Sequence, residues 1–136
     1  MRSIIDKALQ AVLKMLKKKD ERVLLWQNAS PSSDFAAQTI KLSLKDYDAI
    51  LLKHKYTKAT AYYGVQFIEV GDSATVYQIA SAKAASLSYL SRDVKVTTSG
   101  VTIEAGYGKT IYSTSAGGAS ASNLIPVEIY GVKGVK

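Results

Sequence analysis

The side chain best suited to acid–base chemistry is the single histidine, His54, which stands between Lys53 and Lys55 near the end of a strand-like segment. A catalytic histidine needs a base or acid partner within hydrogen-bond reach. A histidine between two lysines is more typical of an exposed position. We therefore predict that His54 is a surface residue without a catalytic role.

Two other segments contain residue types that appear in active sites. Asp46 and Asp48 flank Tyr47, so strand alternation would put both carboxylates on one face. Paired acids at the start of a strand are more typical of a turn than of a glycosidase pair facing a cleft. Residues 106–110 resemble the end of a phosphate loop, but they lack its first glycine and the helix that should follow. We expect no reaction centre and no cofactor.

The aromatic residues favour binding over catalysis. The chain has nine tyrosines, two phenylalanines and one tryptophan, and tyrosine combines a flat apolar ring with a polar tip. This combination suits sugar rings and exposed interfaces, although tyrosines half-buried at sheet edges are also common. Possible receptor contacts are the tyrosines that lie next to predicted loops: Tyr62, Tyr63, Tyr107 and Tyr112.

Length and composition limit the remaining functions. The 136 residues suit one main domain, and 47% hydrophobic residues can supply its core. The absence of cysteine excludes disulfides, thiol catalysis and iron–sulfur clusters, and one histidine excludes metal sites that need several. No apolar run is long enough to span a membrane, and charged residues interrupt the first 19 positions, so we expect neither a membrane span nor a signal peptide.

Residues 1–22 have no glycine or proline and many good helix formers. Ser3 precedes the first apolar residue and is suited to cap a helix. Two adjacent heptad seams follow, the first formed by Ile5, Leu9, Val12 and Leu16, and the second by Ile4, Ala8, Ala11 and Met15. A stripe of this width is typical of a helix that packs against two neighbours, so we predict an oligomerisation or docking arm over residues 1–22.

The charge of this arm leaves other interpretations open. It carries seven basic and three acidic residues, 7 − 3 = +4 of the total 18 − 11 = +7. A basic amphipathic helix can bind an anionic membrane surface, and a lysine patch can bind nucleic acid. However, Asp20 and Glu21 follow the lysine run at 17–19, and no aromatic residue lies among the lysines. We favour a short coiled coil and expect neither nucleic-acid nor membrane binding.

The body, residues 23–136, has the patterns of β-strands. Residues 40–45 alternate between apolar and polar, whereas residues 50–52 are apolar on both faces and indicate an interior strand. Residues 65–70 and 74–79 flank Gly71-Asp72-Ser73, which predicts a hairpin. Together with Ser99-Gly100, a turn pair, these signals predict eight or nine strands in a mainly β fold, an antiparallel sandwich of jelly-roll type.

Several other positions carry structural predictions. Residues 28–34 form a polar loop, and residues 113–123 are small and polar throughout, which predicts a mobile hairpin tip. Trp26 lies on the first strand and is expected in the core. Pro126 is expected on an edge strand or at the start of a strand, because proline cannot donate to a sheet.

Much of the body resembles structural proteins of tailed bacteriophages and prophages. The similarity covers residues 23–133, with the most specific part at the end of the chain. It is carried by five segments: Leu24 to Ile40 (an apolar pair, Trp, a short polar loop, then Phe-Ala-Ala-Gln-Thr), Leu44 to Asp48, Ser91 to Val94, Thr98 to Ile103, and Ile125 to Lys133.

The resemblance implies a β-sandwich domain of a fibre or virion-surface protein, often trimeric and often distal, and it implies no catalytic residues. We therefore expect a non-enzymatic virion structural protein, made in the cytoplasm of a bacterial host and exposed on the capsid or tail. Its expected partners are two further copies of itself, a capsid or tail protein, and a host-surface glycan. Two alternatives are a carbohydrate-binding module without a viral role and a membrane-surface protein acting through the basic helix.

Overall fold

The computed structural model describes residues 3–19, 22–81, 87–111 and 117–134. Within these residues the chain forms one helix and ten strands. The helix is α1 (Ile4–Lys19), and the strands are β1 (Arg22–Gln27), β2 (Gln38–Lys41), β3 (Ala49–Thr57), β4 (Tyr63–Glu69), β5 (Ser73–Ser81), β6 (Leu87–Thr97), β7 (Gly100–Ile103), β8 (Tyr107–Thr110), β9 (Gly118–Ala119) and β10 (Asn123–Val132).

The strands form two antiparallel sheets. The first sheet has the order β1-β10-β3-β4. In the second sheet β5 pairs with one side of the long strand β6, while β7 and β8 share its other side and pair in turn with β2 and β9. The prediction of a mainly β, antiparallel sandwich preceded by one N-terminal helix is confirmed.

The core lies between the sheets and follows from the alternation of side chains along each strand. Ile50, Leu52 and Ile129 face inward from the first sheet and are fully buried. Val76 and Val94 face them from the second sheet. The predicted interior strand is β3, which lies between β10 and β4. Phe35 is buried in this core, and Trp26 packs against it, as expected.

The predicted hairpin at residues 71–73 is wrong. Strand β4 pairs with β3, and β5 pairs with β6, so the turn joins two strands of different sheets. Gly71 makes the turn at φ 101°, a conformation that other residues rarely adopt. Its N–H donates to the carbonyl of Val96 at 2.8 Å, and the N–H of Val96 donates to the carbonyl of Asp72 at 2.9 Å. The chain therefore crosses from one layer to the other instead of reversing within one.

The prediction for Pro126 is also wrong. Strand β10 lies inside the first sheet, and Pro126 lies within this strand rather than at its start. The register with β3 shifts between Pro126 and Glu128, which is a bulge. The residue left out of the ladder is Val127, and Pro126 still pairs with His54. Strand β1 pairs with β10 only as far as Glu128, so Pro126 has a neighbouring strand on one side alone, a position that tolerates a residue without an N–H.

The predictions for the two polar segments, residues 28–34 and 113–123, have different outcomes. The loop after β1 is confirmed: the Asn28 carboxamide accepts a hydrogen bond from the N–H of Ser30 and donates one to the carbonyl of Pro126, both at 2.8 Å. In the predicted tip, residues 113–116 lie outside the described residues. Gly118 and Ala119 form the short strand β9 against β8, so this part of the segment is ordered by pairing, contrary to the prediction.

Candidate functional site

Among the residues that the structure describes, the most exposed large apolar side chains belong to α1. The Ser3 hydroxyl accepts a hydrogen bond from the N–H of Asp6 at 3.2 Å and caps the helix as predicted. Three predicted seam residues are more than half exposed: Ile5 at 78%, Leu9 at 54% and Val12 at 51%. The fourth, Leu16, lies in α1, but its side chain is outside the part of the structure that is described. The described stripe therefore remains uncovered.

His54 is buried, and its prediction as a surface residue is wrong. It lies on the inner face of β3 and is 2% exposed. Its Nδ1 is 2.7 Å from Oε1 of Gln78 on β5, and Nε2 of Gln78 donates to the carbonyl of Tyr62 at 3.0 Å. Gly64 on β4 leaves room for the ring, since a Cβ there would lie 2.6 Å from its Cε1 atom.

The surroundings of His54 make it a structural group. Desolvation by burial lowers its pKa from the usual 6.5, and the hydrogen bond with Gln78 opposes this shift in part. The ring is therefore neutral at physiological pH and joins the two sheets through Gln78.

Asp46 is a turn residue, as predicted, and Asp48 follows the turn, where its N–H donates to the carbonyl of Val132 at 2.9 Å. The N–H of Tyr47 donates to the carbonyl of Leu44 at 3.1 Å, which closes the turn. One carboxylate oxygen of Asp48 accepts the N–H of Gly134 at 2.9 Å. Within the described residues, no group of three histidine, cysteine or acidic residues could hold a metal ion.

Arg92 on β6 is a buried cation that sequence reasoning did not single out. It is 1% exposed. Its guanidinium donates to five backbone carbonyls at 2.8–3.2 Å, which belong to Phe35, Glu104, Ala121, Asn123 and Leu124.

These contacts make Arg92 a clamp at one end of the sandwich. Burial lowers its pKa to about 10, so the side chain is charged at neutral pH. A guanidinium presents five N–H donors in a fixed fork, which suits several acceptors at once. The carbonyls come from three separate segments, so the clamp ties their backbones together. The sequence signal is the inward position that Arg92 shares with Leu90 and Val94 in an alternating strand.

The outer face of the second sheet carries a row of three tyrosines. The ring of Tyr77 on β5 is 6.0 Å from that of Tyr89 on β6. Tyr89 is in turn 6.2 Å from Tyr107 on β8. Tyr77 is exposed, whereas Tyr89 and Tyr107 are half-buried. The ring planes are inclined by 64° between Tyr77 and Tyr89 and by 40° between Tyr89 and Tyr107, so the row is an aromatic ridge with hydroxyl groups and not one flat surface.

The four predicted receptor contacts do not form one site. Tyr107 belongs to the row just described, which otherwise consists of two tyrosines that the sequence prediction missed. Tyr63 begins β4 in the other sheet and Tyr62 precedes it, and both are about half exposed. Tyr112 is outside the described residues. Alternation within β5 and β6 is the signal that could have placed Tyr77 and Tyr89 on an outer face.

A cleft of about 420 Å³ opens beside β8 and β9. Tyr56 and Leu90 supply apolar surface, while Ser88 and Thr110 contribute hydroxyls that hydrogen-bond to each other at 3.0 Å. Lys109 adds one positive charge to the lining. This lining suits a small polar molecule, but it lacks the paired groups of a catalytic centre.

The chain has no match among protein-family models, curated proteins or solved structures. The resemblance to tailed-phage structural proteins therefore stays a prediction. Among the described residues, no helix is long and apolar enough to cross a membrane.

Proposed function

We propose that the protein is a non-enzymatic structural protein of a tailed-phage particle, a fibre or decoration protein that assembles as a trimer through α1. The observation that carries this proposal is the uncovered apolar stripe of α1, with Ile5, Leu9 and Val12 more than half exposed. The sequence resemblance over residues 23–133 supports the assignment to a phage particle.

The stripe supports association because a lone helix of this length is marginal in water. An isolated helix only slightly longer than the limit of about 12–15 residues gains little stability by itself, and most helical stability in proteins comes from packing of an apolar face. Helix α1 has 16 residues, and the described apolar side chains of its stripe are exposed. Three copies packed around one axis would bury both seams and leave the lysines in solvent.

The body suits a role at the surface of a particle. Its core is complete within one chain, so it can fold without the partner that α1 needs. The tyrosine row and the exposed rings of Tyr62 and Tyr63 offer surfaces for contact with a host or with another virion protein.

Sedimentation equilibrium of the full chain tests the assembly. We expect a mass that is a multiple of three copies, and we expect Leu9→Asp with Val12→Asp to abolish the threefold contact because buried seam charges are costly. Lys7→Gln with Gln10→Asp is the matched control, since it changes net charge equally on the other face of the helix. A monomeric parent protein, or equal loss in the control, would contradict the proposal.

The location of the protein tests its viral role. Particles purified from cells that carry the gene should contain the protein, detectable by mass spectrometry and by antibody labelling of intact particles. Labelling of intact particles is the stricter result, because it requires an exposed position. Absence from purified particles would reject the virion assignment while leaving the helical assembly untouched.

The tyrosine row favours carbohydrate binding as a second candidate function. An exposed tyrosine ring on an open face can pack against a sugar ring while its hydroxyl bonds to the sugar. Because neighbouring ring planes are inclined by 64° and 40°, we expect contact with one sugar at a time. On a glycan array, Tyr77→Ala with Tyr107→Ala should reduce binding, whereas Tyr63→Ala on the other sheet should not. If no glycan binds the parent protein, this candidate is wrong.

A further inference from the structure

One side wall of the sandwich is formed by the free edges of β4 and β5. Each strand is paired along one side within the described residues, β4 with β3 and β5 with β6. The turn at residues 70–72 joins the two strands, so their open edges lie on the same side of the molecule. We call this surface the β4–β5 wall.

The wall is apolar and almost free of charge. Its two strands contain 7 and 9 residues, and Glu69 is the single charged residue in them. The side chains that project from the outer faces include Val65 at 63% exposed, Tyr77 at 56% and Ile79 at 53%. An exposed, flat and uncharged strand edge is a known template for pairing with another strand.

The other sheet edges are protected in the ways that soluble proteins use. Strand β1 begins with Arg22 and has a bulge between Leu24 and Trp26. Strand β2 has four residues and ends with Lys41, and β9 has two residues. In contrast, β4 and β5 pair with their neighbours in an unbroken register over their described lengths. Among the described sheet edges, the β4–β5 wall alone lacks such protection.

The backbone of the wall is set to accept a further strand. The carbonyl of Tyr62 accepts from Tyr56 of β3, and the N–H of Val70 donates to Asp48, just before β3. The even-numbered residues of β4 therefore face β3, and Val65 and Phe67 direct their backbone groups outward. The bond from Val96 to the carbonyl of Asp72 sets the same alternation in β5, which turns Tyr77 and Ile79 outward. The outward N–H groups have no acceptor within the described part of the chain, whereas the carbonyl of Phe67 accepts from the Gln66 side chain at 3.1 Å and that of Ile79 accepts from the Tyr62 hydroxyl at 3.4 Å. A pairing strand would replace these two side-chain bonds.

We infer that the β4–β5 wall is the interface of a twofold contact with a second copy of this chain, in which each sheet continues into the matching sheet of the other copy. A partner that satisfies both edges must present two strand edges with the spacing of two packed sheets, about 10 Å. A second copy of this chain presents the same two edges with the same spacing. The neutral wall is also the surface that two chains of net charge +7 can bring together with least repulsion.

The wall has sufficient area for such a contact. A strand of nine residues is about 30 Å long, and two packed sheets with their outer side chains span about 20 Å. Each copy would bury about 600 Å² at the wall, so the contact would bury ~1,200 Å² in total, the lower end of stable interfaces. This contact is separate from the helical association, and the two together give assemblies larger than a trimer.

Sedimentation equilibrium of full-length variants tests the inference separately from the helix. The Leu9→Asp, Val12→Asp chain, in which the helical contact is removed, should be a dimer at micromolar concentration. Adding Val65→Lys and Ile79→Lys should weaken that dimer at least about a hundredfold in Kd, which corresponds to about 2.8 kcal/mol. Both positions are exposed, so the melting temperature of the monomer should be retained.

The matched control is Leu24→Lys with Ile111→Lys in the same background. These residues are exposed apolar side chains outside the wall, at 48% and 41%, and the control adds the same charge. It should leave the dimer intact. Two results would overturn the inference even if α1 forms a trimer. One is a Leu9→Asp, Val12→Asp chain that stays monomeric at 100-fold higher concentration. The other is equal dissociation of the dimer in the control and the wall variant.

Discussion

Arg92 and His54 are two of the three buried basic side chains among the described residues, the third being Lys55, and the surroundings of Arg92 and His54 differ. Arg92 donates to five backbone carbonyls and remains charged. His54 has one side-chain partner, Gln78, and burial lowers its pKa so that it remains neutral. Arg92 joins loops at one end of the sandwich, whereas His54 joins β3 to β5 near the β4–β5 wall.

The difference shows how the backbone can replace an acidic partner. A buried charge is costly unless it is hydrogen-bonded. The backbone carbonyls around Arg92 offset the cost of burying its charge by accepting its hydrogen bonds. These carbonyls are themselves buried and need a donor, so the contact satisfies both partners. His54 avoids the cost by losing its proton, and Gln78 satisfies one ring nitrogen. Arg92 should therefore matter at every pH, and His54 should matter where it can gain a proton.

The largest expected effect is the loss of the Arg92 clamp. Arg92→Met keeps a long apolar stem but removes all five donors, and each buried carbonyl left without a partner costs roughly 1–3 kcal/mol. Some of these groups will gain water, so we expect a loss of about 3–5 kcal/mol in the free energy of unfolding. Thermal unfolding should shift by at least about 10 °C.

The matched control for this change is Lys95→Met on the same strand. Lys95 is exposed, so its substitution should change stability by less than about 0.5 kcal/mol. Arg92→Lys should give an intermediate loss, because an ammonium has three donors and cannot match the guanidinium fork. If Arg92→Met melts within a few degrees of the parent protein, the clamp does not stabilise the fold.

The fold class follows from local patterns, but the pairing of strands does not. Alternation identifies the inward faces, and residues 50–52, apolar on both faces, identify the interior strand β3. Gly71 and its neighbours correctly indicate a turn. Whether that turn closes a hairpin depends on distant partners, since β3 and β6 compete with the local pairing of β4 and β5. Such long-range competition leaves no signature in the turn itself.

The candidate sites show the same division between local and long-range information. The stripe of α1 is a local pattern, and its described residues are exposed as an unpartnered seam would be. The error at His54 came from its lysine neighbours, although alternation puts His54 on the same face as Leu52 and the opposite face from Lys53. The row of Tyr77 and Tyr89 depends on the register between β5 and β6, which single-strand patterns do not specify.

The tyrosine row and the β4–β5 wall, which meet at Tyr77, carry different functional implications. The tyrosine row lies on an outer face, where a ligand can approach without disturbing strand pairing. The β4–β5 wall instead offers backbone groups, so its natural partner is another strand. Tyr62 links the wall to the interior, because its carbonyl accepts from Gln78 while its hydroxyl donates to the carbonyl of Ile79 at 3.4 Å. The β4–β5 wall is therefore adjacent to the buried site of His54.

The smaller expected effect is a loss of stability in mild acid, caused by His54. Its pKa in the folded protein lies below the unfolded value of 6.5, so the unfolded chain binds the proton more readily. Stability from this group is complete above about pH 6.5 and falls as the pH drops toward the folded pKa. Urea unfolding between pH 7.5 and 5 isolates this effect, because aspartate and glutamate titrate mainly near pH 4. The His54→Gln variant cannot take up the proton, so its stability should change less over this range even if its overall stability is lower. An equal pH dependence in the parent protein and the variant would show that another group is responsible.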